Sequence, residues 1–270
     1  MHEAIKAPKI SFYNYTVIGG GTTGIPIATT LFKSYSVLLL ERGASPYGNP
    51  NITNIANLGY TFSDLSPDSP SQRFVSVDGV ENVRPGVLGG GTSINGGFYS
   101  HGEARFLKEA KLVNERLINE SYRWVERMMV FEPVLSRWHS ALKGAIVEAG
   151  VEPENGFTYD HIIGTKVGGT IFDQNGHRHT AADLLQYANP KGLHLLLHAT
   201  AHKILFKNKG PKDQLHTHNI KPVLHHPLVG QGMVDNPTNE IFEPSPIPVA
   251  QSLVEIVGIT MSDNYIEALE

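Results

Sequence analysis

The chain has 270 residues, a formal net charge of −4 at pH 7, 40% hydrophobic residues and no cysteine. This composition is that of an ordinary globular protein, with enough apolar material for one large or two modest cores. The charge balance provides no basic patch for nucleic acid or for a membrane surface. The missing cysteine excludes disulfides, thiol nucleophiles and cysteine-ligated metal sites.

No stretch of the sequence is long and apolar enough to span a membrane. The longest strongly apolar run, YSVLLL at 35–40, falls far short of the roughly 20 residues that a spanning helix needs. The first ten residues, MHEAIKAPKI, lack the apolar middle segment of a secretory signal. We therefore expect no nucleic-acid partner, no membrane partner and, for the chain as written, a cytosolic location.

Residues 12–41 are predicted to form one β-α-β unit. FYNYTVIGG at 12–20 is an apolar strand that runs into glycines, and TGIPIATTLFK at 23–33 has helical spacing at Ile27, Leu31 and Phe32. YSVLLLE at 35–41 is typical of a fully buried strand. A strand, a helix and a second buried strand in this order predict a parallel sheet.

The turn of this unit carries Gly19-x-Gly21-x-x-Gly24, and Glu41 stands at the end of the second strand. Gly19 permits the tight turn, Gly21 lets a pyrophosphate approach the backbone, and Gly24 allows the helix to pack closely on the strand. The helix N-terminus offers free amides to a phosphate. Glu41 would accept hydrogen bonds from ribose hydroxyls and would repel a 2′-phosphate. The motif favours an ADP-containing cofactor without separating FAD from NAD; the alternative is a glycine-rich turn with an incidental carboxylate.

Further elements follow in chain order. Residues 49–76 have poor periodicity and are predicted to be a long excursion, before a second glycine-rich loop, GVLGGGTSINGGFYS at 86–100. Residues 121–149 are predicted to form two helices that break near Pro133, with Gly150 as the C-cap of the second.

The segments TKVGGTIFD at 165–173 and LHLLLHATAHKILF at 193–206 are predicted strands. Between them, TAADLLQYA at 180–188 is a predicted helix with Thr180 as N-cap, Asp183 three residues later and Asn189-Pro190 as its stop. After Lys207 the sequence becomes broken and rich in proline.

The histidines give no convincing metal or catalytic set. His225 and His226 would point to opposite faces of a strand, and His177-x-His179 lacks a carboxylate pattern that completes a metal site. The run of His194, His198 and His202 would share one strand face, which favours a solvent-facing edge. We assign no residue as catalytic and none as a metal ligand.

The combination of VIGGGTTG, LLLERG and RPGVLGGGTSINGGFYS resembles the glucose-methanol-choline (GMC) oxidoreductases, which are FAD-dependent flavoproteins. The resemblance continues through NGFTYDHIIGTKVGGTIFDQNGHRHTAADLLQYANP and PLVGQGMVDNPTNEIF and covers nearly the whole chain from Tyr13. It is strongest to the plant branch that contains mandelonitrile lyase and the HOTHEAD-like proteins. The implied fold class is α/β: a Rossmann-like FAD-binding domain of the GMC type, incomplete, with only part of the substrate domain.

The resemblance also implies which residues hold FAD. Thr22 and Thr23 would lie beside the pyrophosphate, and Glu41 and Arg42 at the adenosine end. Ala201 stands where the family usually has a valine near the adenine. The segment from Val87 to Phe98 would run along the flavin. Its residues at or near the ring system would be Gly91, Asn95, Gly96, Gly97 and Phe98.

The chain departs from the family pattern at several places. Gly86 stands where the family has an arginine or lysine, and Gly210 is followed directly by Pro211 where the family has further strands. We therefore predict a partial FAD-binding domain over 12–270, interrupted near 207–211, with 103–180 and 237–270 contributing the start of the substrate domain. The family's catalytic histidine lies in a C-terminal segment that has no match here.

Three functions remain open from the sequence. The first is FAD-dependent oxidation of an alcohol by hydride transfer to the flavin. The second is a hydroxynitrile lyase of the same fold, and the third is a catalytically inactive, truncated member of the family. The implied partner is a small-molecule alcohol or cyanohydrin, the expected state is a monomer, and the resemblance implies that full-length relatives are secreted.

Overall fold

The fold was derived from a computed structural model, which describes residues 1–189, 191–203, 241, 244–247, 252–262 and 264–269. The chain divides into two compact units: Met1–Thr200 with Ala250–Glu270, and Ala201–Val249. The predicted interruption near 207–211 and the pair His225 and His226 lie outside the described residues. In the second unit the described residues, 201–203, 241 and 244–247, are exposed and lie in no helix or strand.

A four-stranded parallel sheet forms the centre of the first unit. Its strands are β1 (His2–Glu3), β2 (Tyr15–Ile18), β3 (Val37–Leu40) and β10 (Leu193–Leu197), in the spatial order β1-β10-β3-β2. Val37 pairs with both Tyr15 and Leu193. The parallel sheet predicted from residues 12–41 is confirmed, and strand β1 adds a short segment that precedes residue 12.

Helix α1 (Gly24–Leu31) connects β2 to β3 and packs on the sheet. Its buried side chains are Ile25, Ala28 and Thr29, whereas Ile27 is 46% exposed. The predicted helix is confirmed, although Ile27, one of the residues with helical spacing, does not lie on its buried face. The helix face that carries Ile25 and Ala28 packs against Val37 and Leu39 instead, and the small side chain of Ala28 permits a close approach.

Residues 49–100 are more ordered than the predicted excursion. They contain α2 (Pro50–Thr53), a 3₁₀ turn at Ile55–Asn57, α3 (Leu58–Ser63), the hairpin of β4 (Ser71–Val75) and β5 (Glu81–Pro85), a 3₁₀ turn at Gly90–Ser93, and β6 (Phe98–Tyr99). Asn49 and Asn54 begin the first two helical turns, since each side chain accepts a hydrogen bond from an amide two residues later. Local capping, which has no periodicity, explains why these two turns were not predicted.

The helices α4 (Ala104–Glu109), α5 (Glu115–Met129) and α6 (Arg137–Glu148) follow. α5 and α6 are the two predicted helices that break near Pro133, although α5 begins earlier than predicted because Asn114 caps it. Gly150 has φ of +89° directly after α6, as its predicted C-cap role requires. The interface of α5 with the core contains Trp124, Val125 and Met128.

A second four-stranded sheet contains β7 (Glu154–Phe157), β8 (Gly164–Val167), β11 (Ile256–Ile259) and β12 (Tyr265–Glu267) in the order β12-β11-β8-β7. All four strands come from the two ranges 103–180 and 237–270. Their assignment to a substrate domain stays a prediction. A short strand β9 (Gly169–Thr170) pairs antiparallel with β6, so the second glycine-rich loop is joined to the segment that follows β8.

The segment predicted as a helix at 180–188 is a 3₁₀ helix over Ala181–Tyr187. Its predicted N-terminus is confirmed, because the side chains of Thr180 and Asp183 bond each other's backbone amides in a capping box. Strand β10 ends at Leu197, and His198 has φ of +51°. His194, His198 and His202 therefore do not share a strand face, although all three are exposed as expected.

Candidate functional site

The first glycine turn connects β2 to α1. Gly19 has φ of +98°, and its amide donates to Leu40 O at 2.8 Å, which fixes the turn to the end of β3. A Cβ on Gly24 would lie 1.9 Å from Gly19 O. The helix therefore packs on the turn as closely as predicted, and only glycine fits at position 24.

The N-terminus of α1 presents free amides. Thr22 and Thr23 are exposed, and the Thr23 side chain forms no capping bond. The first bonds of the helix run from Ile25 N to Gly21 O and from Ile27 N to Thr23 O, so the Thr22 and Thr23 amides have no acceptor among the described residues. Such amides and the positive end of the helix dipole suit an anion.

Glu41 has a structural role that the sequence did not suggest. Its carboxylate accepts from Gly20 N through Oε2 and from Gly43 N through Oε1, each at 2.7 Å, and the residue is only 6% exposed. The side chain thereby holds the first glycine turn against the chain that leaves β3. Each oxygen keeps a lone pair for a further donor, so the predicted bond to a ribose hydroxyl stays a prediction.

Arg42 lines a cavity of about 240 Å³. Its guanidinium donates to Gln72 Oε1 at 2.6 Å and to Pro85 O at 2.8 Å. Gly86, the position where the family carries a basic residue, lines the same cavity, together with His198. A Cβ on Gly86 would lie 3.0 Å from Gln72 Nε2, so a larger side chain at this position would require Gln72, the partner of Arg42, to shift. Ala201, predicted near the adenine, is exposed and belongs to the second unit.

The two glycine-rich loops contact each other. Gly89 N donates to Gly20 O at 2.7 Å. Gly90 has φ of +61°, and a Cβ there would lie 2.7 Å from Gly21 Cα. Val87 is 2% exposed and forms a parallel bridge with Ala44, which anchors the second loop beside β3. The tertiary structure thus joins two motifs that are far apart in the sequence.

The second glycine-rich loop is exposed in one part and buried in another. Asn95 and Gly96 are exposed, and no atom lies within 4 Å of a Cβ built on Gly91 or Gly96. Gly97, in contrast, is buried with φ of +81°, and a Cβ there would lie 2.6 Å from the Phe172 ring. The loop therefore offers an open backbone surface at Gly91 and at Asn95–Gly96, next to an anchored stretch that begins at Gly97.

Arg178 is a residue of this region that sequence reasoning missed. It is 2% exposed, and it donates from Nε to Ile52 O at 3.1 Å and from Nη1 to Thr92 O at 3.0 Å and Asn95 Oδ1 at 3.2 Å. Its guanidinium carbon lies 4.4 Å from the centre of the Phe172 ring. Burial lowers the pKa of Arg178 to about 10. A single arginine between two histidines carries no sequence signal for this role.

His179 lies between two carboxylates, a pairing that the sequence pattern did not indicate. Asp183 Oδ2 is 3.4 Å from Nδ1 and Asp173 Oδ2 is 3.7 Å from Nε2. The hydrogen bond to Asp183 raises the pKa of His179 despite its burial. Burial alone would raise the pKa of Asp183, but the bonds from His179, Tyr47 and the Thr180 amide lower it.

The described residues contain no group of three or more histidine, aspartate or glutamate side chains placed to hold a metal ion. None of their helices is long and apolar enough to cross a membrane.

The chain is similar to curated plant proteins along almost its whole length. It is 44% identical to the protein HOTHEAD of Arabidopsis thaliana, over 96% of this chain and 52% of that protein. It is 37% identical to "Sinalpyl alcohol oxidase Nec3" of Nesocodon mauritianus, over 99% of this chain and 57% of that protein. It is 35% identical to (R)-mandelonitrile lyase 3 of Prunus serotina, over 94% and 52%. The chain thus spans about half the length of the curated relatives it matches.

The alignment with HOTHEAD extends over 307 positions, against 270 residues in this chain, so at least 37 of its positions lack a residue here. A missing internal segment was predicted from the sequence. Its predicted place, between Gly210 and Pro211, lies outside the described residues.

Solved structures with low sequence identity share the fold. The structure of pyridoxine 4-oxidase from Mesorbium loti aligns with a TM-score of 0.58 at 19% identity, over 74% of this chain and 45% of that one. A formate oxidase aligns with a TM-score of 0.55 at 15% identity, over 97% and 44%. No protein-family model matches the chain. The two contacting glycine-rich loops on a parallel sheet, the shared fold and the similarity to HOTHEAD and the mandelonitrile lyases agree with the resemblance of this sequence to the GMC oxidoreductases.

Proposed function

We propose that this chain binds FAD across the two glycine-rich loops and forms the cofactor-binding part of an enzyme that oxidises a small alcohol. The contact between Gly21 and Gly90 is the observation that carries the proposal. It brings the free amides of the α1 N-terminus next to the open backbone of the second loop, and an extended dinucleotide needs both.

The residues present fit this cofactor. The amides of Thr22 and Thr23 would hold the pyrophosphate, Glu41 and Arg42 would contact the adenosine half, and Asn95 with Gly96 would meet the flavin. When bound, the flavin supplies a hydride acceptor for an alcohol carbon. Oxidation also requires a base for the hydroxyl proton, and we assign that role to no residue of this chain.

The relatives support two activities for the complete protein. One relative is named as an alcohol oxidase and several as (R)-mandelonitrile lyases. Alcohol oxidation is our main proposal, because redox chemistry is what a bound flavin directly provides. Lyase activity on a cyanohydrin is the second candidate, supported by the lyase relatives. A third outcome is a chain that binds FAD without turnover.

The visible absorption spectrum of the purified chain tests cofactor binding. We expect flavin bands at about one FAD per chain, directly or after reconstitution. A colourless protein that takes up no FAD would overturn the proposal.

Gly21→Ala separates cofactor binding from folding. A Cβ on Gly21 would come no closer than 3.7 Å to Gly90 Cα, which is an ordinary contact, but it would occupy the approach to the pyrophosphate. We expect FAD affinity to fall at least about tenfold with little change in the melting temperature of the apoprotein. Gly59→Ala is the matched control, since no atom lies within 4 Å of a Cβ at that position. Equal FAD affinity in both variants would count against this placement of the cofactor.

Turnover then distinguishes the activities. The FAD-loaded chain is assayed for flavin reduction with a panel of primary and aromatic alcohols, and for benzaldehyde release from mandelonitrile. Reduction by an alcohol supports the oxidase, benzaldehyde release supports the lyase, and FAD binding without either reaction supports a non-catalytic chain.

A further inference from the structure

Arg178 is a buried cation without an anionic partner in the described part of the chain. All three of its acceptors, Ile52 O, Thr92 O and Asn95 Oδ1, are neutral oxygens. Its Nη2 atom is buried and has no hydrogen-bond partner among the described residues. Arginine is rarely this buried unless it is paired, so this charge needs an explanation.

The surroundings compensate this charge only in part. The Phe172 ring at 4.4 Å supplies a cation-π contact. Such a contact offsets only part of the cost of burying an unpaired ion. The arginine nevertheless remains the protonated species at neutral pH, because even its lowered pKa of about 10 lies well above 7.

The position of Arg178 shows which part of the site it supports. Two of the three acceptors, Thr92 O and Asn95 Oδ1, belong to the second glycine-rich loop. Asn95 is exposed on the open stretch of that loop, whereas Arg178 lies behind it. No hydrogen bond joins Arg178 to Glu41 or Arg42, the residues expected at the adenosine end.

We propose that Arg178 is a positioning residue for the flavin end of FAD: its hydrogen bonds to Thr92 O and Asn95 Oδ1 hold the second loop in the conformation that meets the flavin. This inference rests on the proposed function. It predicts that loss of Arg178 weakens the binding of the complete dinucleotide more than the binding of ADP, because ADP does not extend along the second loop.

The experiment compares FAD and ADP binding to the purified apoprotein of Arg178→Gln and of the wild type, by titration calorimetry. We expect Arg178→Gln to weaken FAD binding at least about tenfold, since the two hydrogen bonds that hold the second loop are lost, and to change ADP affinity less than about twofold. Arg116→Gln is the matched control, because that side chain is 88% exposed.

Each outcome decides one question. If the wild type binds FAD and Arg178→Gln binds it equally well, the inference is wrong while the proposed function stands. If the variant loses FAD and ADP affinity in equal measure, its effect is a general defect of the fold and the inference is likewise wrong. If the wild type itself binds no FAD, the proposed function fails, and this inference with it.

Arg178→Lys decides the question if the glutamine variant does not fold. Lysine keeps the buried charge but cannot reach several acceptors with a rigid fork. We expect this variant to bind FAD about threefold or more weakly than the wild type, with ADP affinity unchanged. Unaltered FAD affinity would overturn the positioning role.

Discussion

The clamp formed by Glu41 is the most direct test of the site's internal geometry. Glu41→Gln keeps the shape of the side chain and replaces one carboxylate oxygen by an amide NH₂. Because both oxygens accept from backbone amides at 2.7 Å, the new NH₂ group must face either Gly20 N or Gly43 N. One buried donor then meets another donor, and the remaining bond loses its charge.

The size of the effect follows from these two bonds. A hydrogen bond to a charged group contributes about 1.5–3 kcal/mol, and a buried donor left without an acceptor costs about 1–3 kcal/mol. We therefore expect Glu41→Gln to lower the free energy of unfolding by about 2–4 kcal/mol. Glu41→Ala should cost at least as much, since it leaves both donors without the carboxylate.

Urea unfolding followed by tryptophan fluorescence measures this loss. Trp124 and Trp138 are the chain's two tryptophans, and both lie in the first unit, so the signal reports the unit that contains Glu41. At a slope of about 2–3 kcal/mol/M the midpoint should fall by about 1 M.

Glu120→Gln provides the control. Its carboxylate is 55% exposed and pairs only with Arg116, so the free energy should change by less than about 0.5 kcal/mol. If Glu41→Gln unfolds at the same urea concentration as this control, Glu41 does not clamp the glycine turn and the assigned geometry is wrong.

Three further predictions follow from the packing and the charges. Gly24→Ala should severely destabilise the apoprotein, because its Cβ would lie 1.9 Å from a backbone oxygen, whereas Gly59→Ala should not; thermal melts that match would contradict this. Lys166 is fully buried, and burial lowers its pKa to about 8. Above that pH the folded chain loses the Lys166 proton while the unfolded chain still keeps it, so the stability of the wild type should rise relative to Lys166→Met between pH 8 and 9.5. The total gain should approach about 3 kcal/mol by pH 10.5. A constant difference across that range would refute it. The raised pKa of His179 stabilises the fold fully below about pH 6.5, and the contribution is lost as pH rises through the higher folded value. His179→Gln should therefore flatten the decline of melting temperature above pH 6.5, and an unchanged pH profile would show that the pair with Asp183 contributes nothing.

The sequence by itself determined the elements that depend on near neighbours. The β-α-β unit follows from a glycine turn between two apolar runs, and the capping box of Thr180 and Asp183 depends on residues three apart. The packing role of Gly24 could also be predicted, because its constraint comes from Gly19, five residues away. The exposure of Ile27 could not, since periodicity gives a helix but does not decide which of two apolar faces meets the sheet.

Only the tertiary structure decided how the site is assembled. Gly21 and Gly90 meet because β3 and the bridge at Val87 place the second loop beside the first, a contact between residues far apart in the chain. Glu41 accepts hydrogen bonds from the backbone and Arg178 donates one to Asn95. Buried polar groups are hydrogen-bonded, and the fold determines which partners lie within reach. The sequence shows which polar side chains are present, whereas the three-dimensional packing determines which hydrogen-bond partner each of them has.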